Sequence, residues 1–188
     1  MISEFLKKTY TEIHRTTPFG KRGKFPKHLE KFINDKKPQS ILDFGCGKGR
    51  LIEKIKETYP NIDVTGYDPA NSDFDRSIDD VRVDMIISSD VLEHVEPEYI
   101  DDTLKFLQTK SKFFYHLIAC SPAKLILPDG RNAHLIVEND QWWRKRFLDI
   151  GYSINHEYFL EFEKIPKGSK QKMLIRKYFI MGETNGKS

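Results

Sequence analysis

The stretch Ser40-Ile41-Leu42-Asp43-Phe44-Gly45-Cys46-Gly47-Lys48-Gly49 sets the fold. Ser40 to Phe44 is a short apolar run of the length and composition of a buried strand. Three alternate glycines follow, and they let the backbone turn tightly and approach a ligand closely. Leu51, Ile52 and Ile55 then share one face of a helix expected over 51–59. The first N–H groups of that helix lack intrahelical partners and point toward the turn.

Outward from this unit the same alternation continues. Toward the N-terminus, Ile2, Phe5, Leu6, Tyr10 and Ile13 recur at helical spacing, and Pro18, Gly20 and Gly23 break the pattern. A second helix is expected over Pro26 to Asn34, with Leu29, Phe32 and Ile33 inward and Pro38 ending it. Toward the C-terminus, strands are expected at Asp63–Tyr67, Asp84–Ser88 and Phe113–Ala119, with a helix over Pro97–Thr109 before the last of these. A helix over Asp140–Leu148, closed by Gly151, leads to two final strands, Tyr158–Phe162 and Met173–Met181, joined by Pro166 to Lys170. Strands and helices alternating through short loops imply an α/β fold. The expected architecture is a Rossmann-like doubly wound sheet, mostly parallel, with a C-terminal antiparallel hairpin. One domain is expected, with residues 1–37 as a helical lid over a core of 38–188. Pro69 to Val83 is too short for a full helix and strand together, so a standard element is trimmed there.

Composition narrows the class. The 188 residues carry 31 basic and 28 acidic side chains, a net charge of +3, and 38% are hydrophobic. Such a chain buries one good core without disulfide or metal staples and does not stay disordered. Its charge is too near balance to argue by itself for nucleic acid. Cys46 and Cys120 have neither zinc-site spacing nor a disulfide framework, which points to no metal and a reducing, cytoplasmic setting. Met1 to Arg15 lacks the apolar stretch of a signal peptide or anchor, and no run of about 18 apolar residues occurs.

The ligand of the glycine turn follows from what comes next. Asp68 ends the following strand, about twenty residues on, where an acid accepts both hydroxyls of a ribose. Asp43 is placed to meet an amino-acid end, directly or through water. Gly-x-Gly-x-Gly with no further glycine three residues on suits a nucleoside better than a dinucleotide pyrophosphate. Asp43 to Gly49, Gly66-Tyr67-Asp68-Pro69 and Asp90-Val91-Leu92-Glu93-His94-Val95 resemble the first, second and fourth motifs of class I S-adenosylmethionine-dependent methyltransferases. The last segment is similar to that of quinone-biosynthesis enzymes, and the likeness covers roughly Ser40 to Tyr152. Tyr10-x-x-x-His14 with Pro18-Phe19-Gly20 also resembles short methyltransferases of phage and bacteria.

The resemblance implies that S-adenosylmethionine is the cofactor and S-adenosylhomocysteine its product. Gly45, Cys46, Gly47 and Gly49 would wrap the methionine portion, Asp68 with Pro69 the ribose, and Ser89, Asp90 and Val91 the sulfonium region. For adenine, Asp73, Phe74, Asp75 and Asp79 are candidates in the shortened loop, with Phe74 favoured for stacking.

Methyl transfer from a sulfonium needs the acceptor placed in line and water excluded. An oxygen or nitrogen acceptor also calls for a base, a task suited to histidine at neutral pH. His94, after the Asp84–Ser88 strand, and His134, in the polar loop after Phe113–Ala119, are the base candidates. His14 on the N-terminal helix is a substrate-side candidate, whereas His116 inside an apolar strand reads as core. Arg131 and Asn132 are candidates to grip a carboxylate, phosphate or sugar hydroxyl or make a turn with Gly130. Lys21, Arg22 and Lys24 are either an anion site or a solvated run. Cys120 lacks the proline-cysteine that nucleophilic cytosine-carbon enzymes carry and reads as a small buried side chain. Trp142 and Trp143 precede a basic cluster that could stack on and bind nucleic acid, but helical spacing turns Trp143, Phe147 and Leu148 inward. The Asp/Asn-Pro-Pro-Tyr/Phe signature of amino methyltransferases is absent. The expected function is methylation of a small-molecule or sugar-like acceptor, on oxygen. Its rivals are a nucleic-acid or protein methyltransferase and a non-catalytic cofactor-binding partner subunit.

Overall fold

The computed structural model describes residues 2–17, 25–165 and 172–184. Among these the elements run α1 (Glu4–Thr16), α2 (Lys27–Lys36), β1 (Ser40–Phe44), α3 (Arg50–Thr58), β2 (Asp63–Tyr67), β3 (Val83–Ser89), α4 (Ile100–Gln108), β4 (Ser111–Ala119), α5 (Asp140–Ile150), β5 (Tyr152–Lys164) and β6 (Met173–Thr184). They build one mixed sheet in the order β2-β1-β3-β4-β6-β5. The first four strands are parallel, and β6 runs antiparallel to both β4 and β5. The expected Rossmann-like architecture with its C-terminal hairpin is the one observed.

Both faces are covered, which is why the central strands are apolar on each side. On one face α2 and α3 press Leu29, Phe32, Ile33, Leu51, Ile52 and Ile55 onto Ile41, Val64, Met85 and Tyr115. On the other, Leu104 and Leu107 of α4 and Trp143 and Phe147 of α5 pack on Leu42, Ile86, Phe114 and Ile118. The α5 inner face is narrower than its sequence suggests. Trp143 and Phe147 are fully buried, but Leu148 is 43% exposed, because one further residue of rotation carries it off the stripe. Trp142 instead lies under the Arg146 guanidinium, 4.3 Å from the ring centre.

Two of the expected element boundaries change, and the trimming between β2 and β3 is as expected. The segment expected as one helix over 97–109 divides into a 3₁₀ turn at Pro97–Tyr99 and α4. The trimmed region between β2 and β3 contains no helix or strand, so β2 is an outer strand of the sheet. β5 begins at Tyr152, six residues before the expected start. Its added residues Ser153, Asn155, His156 and Glu157 are polar, and an outer strand tolerates them. A bulge lies between Ile154 and His156, opposite Gly182. A Cβ on Gly182 would sit 2.0 Å from the Ser153 carbonyl oxygen, so only glycine allows that approach.

α1 belongs to neither face. Ser3 caps it, and Leu6 and Tyr10 pack on Ala70, Leu127 and Ala133 in loops at the carboxyl ends of the strands. The Ser3 N–H donates to Glu96 (2.8 Å), Lys7 pairs with Asp75 (2.7 Å) and the Tyr10 hydroxyl donates to the Ala133 carbonyl (3.1 Å). The helix therefore lies across the end of the sheet where the order reverses between β1 and β3, the position at which open α/β sheets bind ligands. No helix among the described residues is long and apolar enough to cross a membrane.

Candidate active site

A cavity of about 910 Å³ opens at this switch point. The ends of β1, β2, β3 and β4 supply Asp43, Tyr67, Ser89 and Ala119 to its wall; α1 supplies Tyr10 and His14.

The glycine turn is built as its sequence dictates. Gly45, Gly47 and Gly49 all have φ between 57° and 75°, the left-handed region that side chains rarely adopt. A Cβ on Gly45 would also lie 2.4 Å from Val91 Cγ1, so the turn and the end of β3 are in direct contact. The Gly45 and Cys46 N–H groups donate to the Tyr67 carbonyl (2.7 and 3.1 Å). Asp68 accepts from the Gly47 N–H at Oδ2 (2.8 Å) and from the Ala70 N–H at Oδ1 (2.9 Å). Asn71 donates to the Gly47 carbonyl (2.7 Å), so both backbone groups of Gly47 are held from the segment after β2. Each Asp68 oxygen keeps a further lone pair for a ligand. Burial pushes the Asp68 carboxyl up, while the two N–H groups and His14 oppose it. Asp43 beside it is pushed up to about 8 by burial and by the Asp68 charge. Burial pushes His14 down, against the pull of Asp68.

The opposite side is built around two histidines. His94 Nδ1 contacts the Ala133 carbonyl (2.7 Å) and the Tyr10 hydroxyl (3.1 Å). His134 Nδ1 contacts the Ser121 carbonyl (2.5 Å), and the two imidazoles meet edge to face at 4.9 Å. A carbonyl only accepts, so Nδ1 carries the proton in both rings and the lone pair is on Nε2. Burial pushes His94 down to about 4, aided by His134, and lowers His134 as well. Both imidazoles are therefore neutral at physiological pH. Behind them Glu93 is fully buried, accepts from the Ala119 N–H (3.0 Å), and is pushed up to about 8 by burial and by Asp90. Asp90 has φ 56° and pairs with Lys177 of β6 (2.7 Å).

Of the residues singled out from sequence, Asp43, Gly45, Cys46, Gly47, Asp68, Pro69, Ser89, Asp90, Val91, His14, His94 and His134 line this one cavity. Four do not. Gly49 lies behind the turn as the N-cap of α3, and a Cβ on it would lie 2.8 Å from the Phe74 ring. Phe74 is thus spent on packing against Gly49, Gly66 and the α2–α3 layer, and not on the cavity wall. Arg131 pairs with Asp129 (2.7 Å) on the surface. Asn132 exchanges two hydrogen bonds with the Ala123 backbone (2.9 and 2.8 Å) and so staples the loop that carries His134. Asp75 and Asp79 bond to Lys7 and Ser77. His116 is a core residue bonded to Ser88 (2.8 Å), as expected. Cys120 is buried, with its thiol pushed up to about 12 by that burial, which suits packing and not nucleophilic attack. Pro18, Phe19, Gly20, Lys21, Arg22 and Lys24 lie outside the described residues.

Sequence reasoning held Tyr10 and Glu93 only as motif positions without a site role, and missed Asn71 and Lys177. Asn71 had a signal in its position three residues past Asp68; Lys177 had none, because its partner Asp90 is far away in sequence. Glu93, His94 and His134 also form a group whose ligand atoms lie within 4.8 Å of one another, which the spacing of 93, 94 and 134 does not suggest.

A glycine turn bound to an acidic strand end, at the switch point of this sheet, defines an adenosyl-binding α/β enzyme. Residues 19–159 match the methyltransferase domain family, and the chain belongs to that family. It is an S-adenosylmethionine-dependent methyltransferase of class I fold. No curated protein sequence matches it significantly. Solved structures share the fold. 1,6-Didemethyltoxoflavin-N1-methyltransferase of Burkholderia thailandensis, bound to 1,6-didemethyltoxoflavin and S-adenosylhomocysteine, is 12% identical with a TM-score of 0.65, over 95% of this chain and 87% of that one. TehB from Haemophilus influenzae is 15% identical with a TM-score of 0.63, over 95% and 67%. An S-adenosylmethionine-dependent methyltransferase from Archaeoglobus fulgidus is 18% identical with a TM-score of 0.56, over 84% and 91%.

Proposed function

We propose that the protein methylates an oxygen of a small-molecule acceptor. The carrying observation is the cavity, open at its mouth, with two chemically distinct sides, a carboxylate-and-glycine side and a two-histidine side, under a helix. A volume of about 910 Å³ is in the range of small-molecule pockets. Aromatic side chains Tyr10, Phe44 and Tyr67 line it together with Arg50, Lys124, Lys164 and Lys177, and the aromatic part of the wall suits a small molecule. The similar Burkholderia enzyme has both a small molecule and S-adenosylhomocysteine bound.

In this reading Asp68 takes the ribose hydroxyls, and Asp43 faces the amino-acid end. Gly45, Cys46 and Gly47 let the ligand lie against the backbone, and Ser89 to Val91 flank the reacting centre with Pro69 near the ribose. Bound S-adenosylmethionine supplies a methyl group on a sulfonium whose sulfur leaves as a neutral thioether. α1 closes the cavity and excludes water, with His14 facing it from above. His94 and His134 act on the acceptor hydroxyl through their Nε2 lone pairs. As its proton is drawn off, the oxygen pair forms the new C–O bond while the S–C pair returns to sulfur.

A screen of hydroxylated metabolites with methyl-labelled cofactor tests this. Turnover should fall at least about 100-fold in His134→Ala, with binding of S-adenosylhomocysteine retained. Labelled products methylated only on nitrogen, or full activity in both His94→Ala and His134→Ala, would overturn the reading.

A further inference from the structure

We propose that Glu93, His94 and His134 hold a divalent cation of the zinc type on the acceptor side of the cavity. This rests on the acceptor-side assignment above and states how those two imidazoles act. One imidazole nitrogen of each histidine and one Glu93 carboxyl oxygen already lie within 4.8 Å of one another. Around a tetrahedral ion with bonds of ~2.1 Å, ligand atoms are ~3.4 Å apart. Side-chain rotations that move each group by roughly an ångström close the set.

Two independent features point to a cation. The first is the pinned orientation of both rings. Ala133 and Ser121 carbonyls take the Nδ1 protons, at 2.7 and 2.5 Å, and put both lone pairs on Nε2. Metal-ligating histidines are oriented in this way, by a backbone carbonyl or carboxylate on the far nitrogen. The second is Glu93. Its side chain is fully buried, Oε1 accepts from the Ala119 N–H, and Oε2 has no hydrogen-bond partner among the described residues. A buried carboxyl oxygen without a partner is costly, and a cation shared with two neutral imidazoles gives it one. Asp90 adds negative charge next to the group, offset in part by its Lys177 partner.

The donor set selects the metal. Two imidazoles and one carboxylate suit zinc, cobalt or nickel and not calcium or magnesium, which take oxygen ligands. Three protein ligands leave coordination positions open, and His94 and His134 lie on the cavity wall. An acceptor hydroxyl bound there loses its proton more readily, to water at the cavity mouth, and its oxygen retains the pair that forms the C–O bond.

The test titrates chelator-treated protein with CoCl₂ and follows the visible d–d bands of low-coordinate Co²⁺. One equivalent should bind, Zn²⁺ should displace it, and equimolar Mg²⁺ should not. Glu93→Gln, which keeps an acceptor for the Ala119 N–H, and His134→Ala should each weaken Co²⁺ binding by at least about tenfold. Both variants should bind S-adenosylhomocysteine within about twofold of the unmodified chain, since that half of the cavity is separate. If Glu93→Gln fails this folding check, His134→Ala decides alone. No stoichiometric Co²⁺ uptake, or equal affinity in chain and variant, overturns the proposal. Loss of methyl transfer in His134→Ala without Co²⁺ binding by the unmodified chain overturns the metal and leaves the histidines acting as bases. Calorimetry with S-adenosylhomocysteine reads the cofactor side independently.

Discussion

Replacing Asp68 with alanine should damage the fold and the cofactor site together, by amounts that can be separated. In the protein without ligand, the Asp68 carboxyl accepts the Gly47 and Ala70 N–H groups at 2.8 and 2.9 Å and is only 7% exposed. Leaving two such donors unsatisfied costs ~1–3 kcal/mol each. Water entering the vacated space recovers part of this, so a loss of ~2–4 kcal/mol is expected. For a chain of this size that lowers Tm by roughly 5–15 °C. A bound ribose would lose two hydrogen bonds to a carboxylate, and at ~1.5 kcal/mol or more each its affinity should fall at least about 100-fold. Asp68→Asn keeps one acceptor oxygen and should fall between alanine and the unmodified chain in Tm. Differential scanning calorimetry of the ligand-free proteins and titration calorimetry with S-adenosylhomocysteine measure the two losses. A Tm within about 2 °C of the unmodified chain would refute the buttress role. Affinity within about threefold would refute the ribose assignment.

Gly66→Ala places a Cβ 2.4 Å from Ile52 Cδ1 and 2.7 Å from Cys46 Sγ. It should cost ~1–3 kcal/mol in denaturant unfolding and weaken cofactor binding by displacing Cys46. Asp43 has a folded-state pKa of about 8, above its ordinary value of 3.8. The native state therefore holds a proton that the unfolded chain has lost, and the Asp43 contribution to ligand-free stability falls as pH rises from about 4 to 8. Asp43→Asn should flatten that part of the Tm–pH curve. If a ligand ammonium pairs with Asp43, cofactor binding at pH 7 should release a proton, seen as a dependence of calorimetric heat on buffer ionisation enthalpy. Asn132→Ala should loosen the loop carrying His134, slowing turnover while leaving S-adenosylhomocysteine affinity unchanged; equal turnover would show the staple to be dispensable.

How far the structure was legible depended on whether a residue's role was local. The β1 strand, the glycine turn and α3 are adjacent in sequence, and periodicity with left-handed glycines identifies them almost to the residue. β2 with Asp68 follows for the same reason. The start of β5 was hidden because its pairing with β6, and not its own apolarity, makes it a strand. Phe74 was misjudged because an aromatic near a nucleotide site suggests stacking, while the space beside Gly49 and Gly66 is visible only in three dimensions. For Arg131 and Asn132 the sequence leaves ligand grip and a turn with Gly130 equally open, and their partners Asp129 and the Ala123 backbone show the structural role. The Glu93–His94–His134 group was invisible because forty residues separate its halves and only the loop after β4 folds them together.

The clamp on Gly47, with its N–H on Asp68 and its carbonyl on Asn71, makes the turn cooperative with two strands before any ligand arrives. The site is therefore preorganised, and association need not order it from a floppy loop. Amide exchange at Gly47 should accordingly be slow in the ligand-free protein, tracking global opening of the sheet and not local fraying.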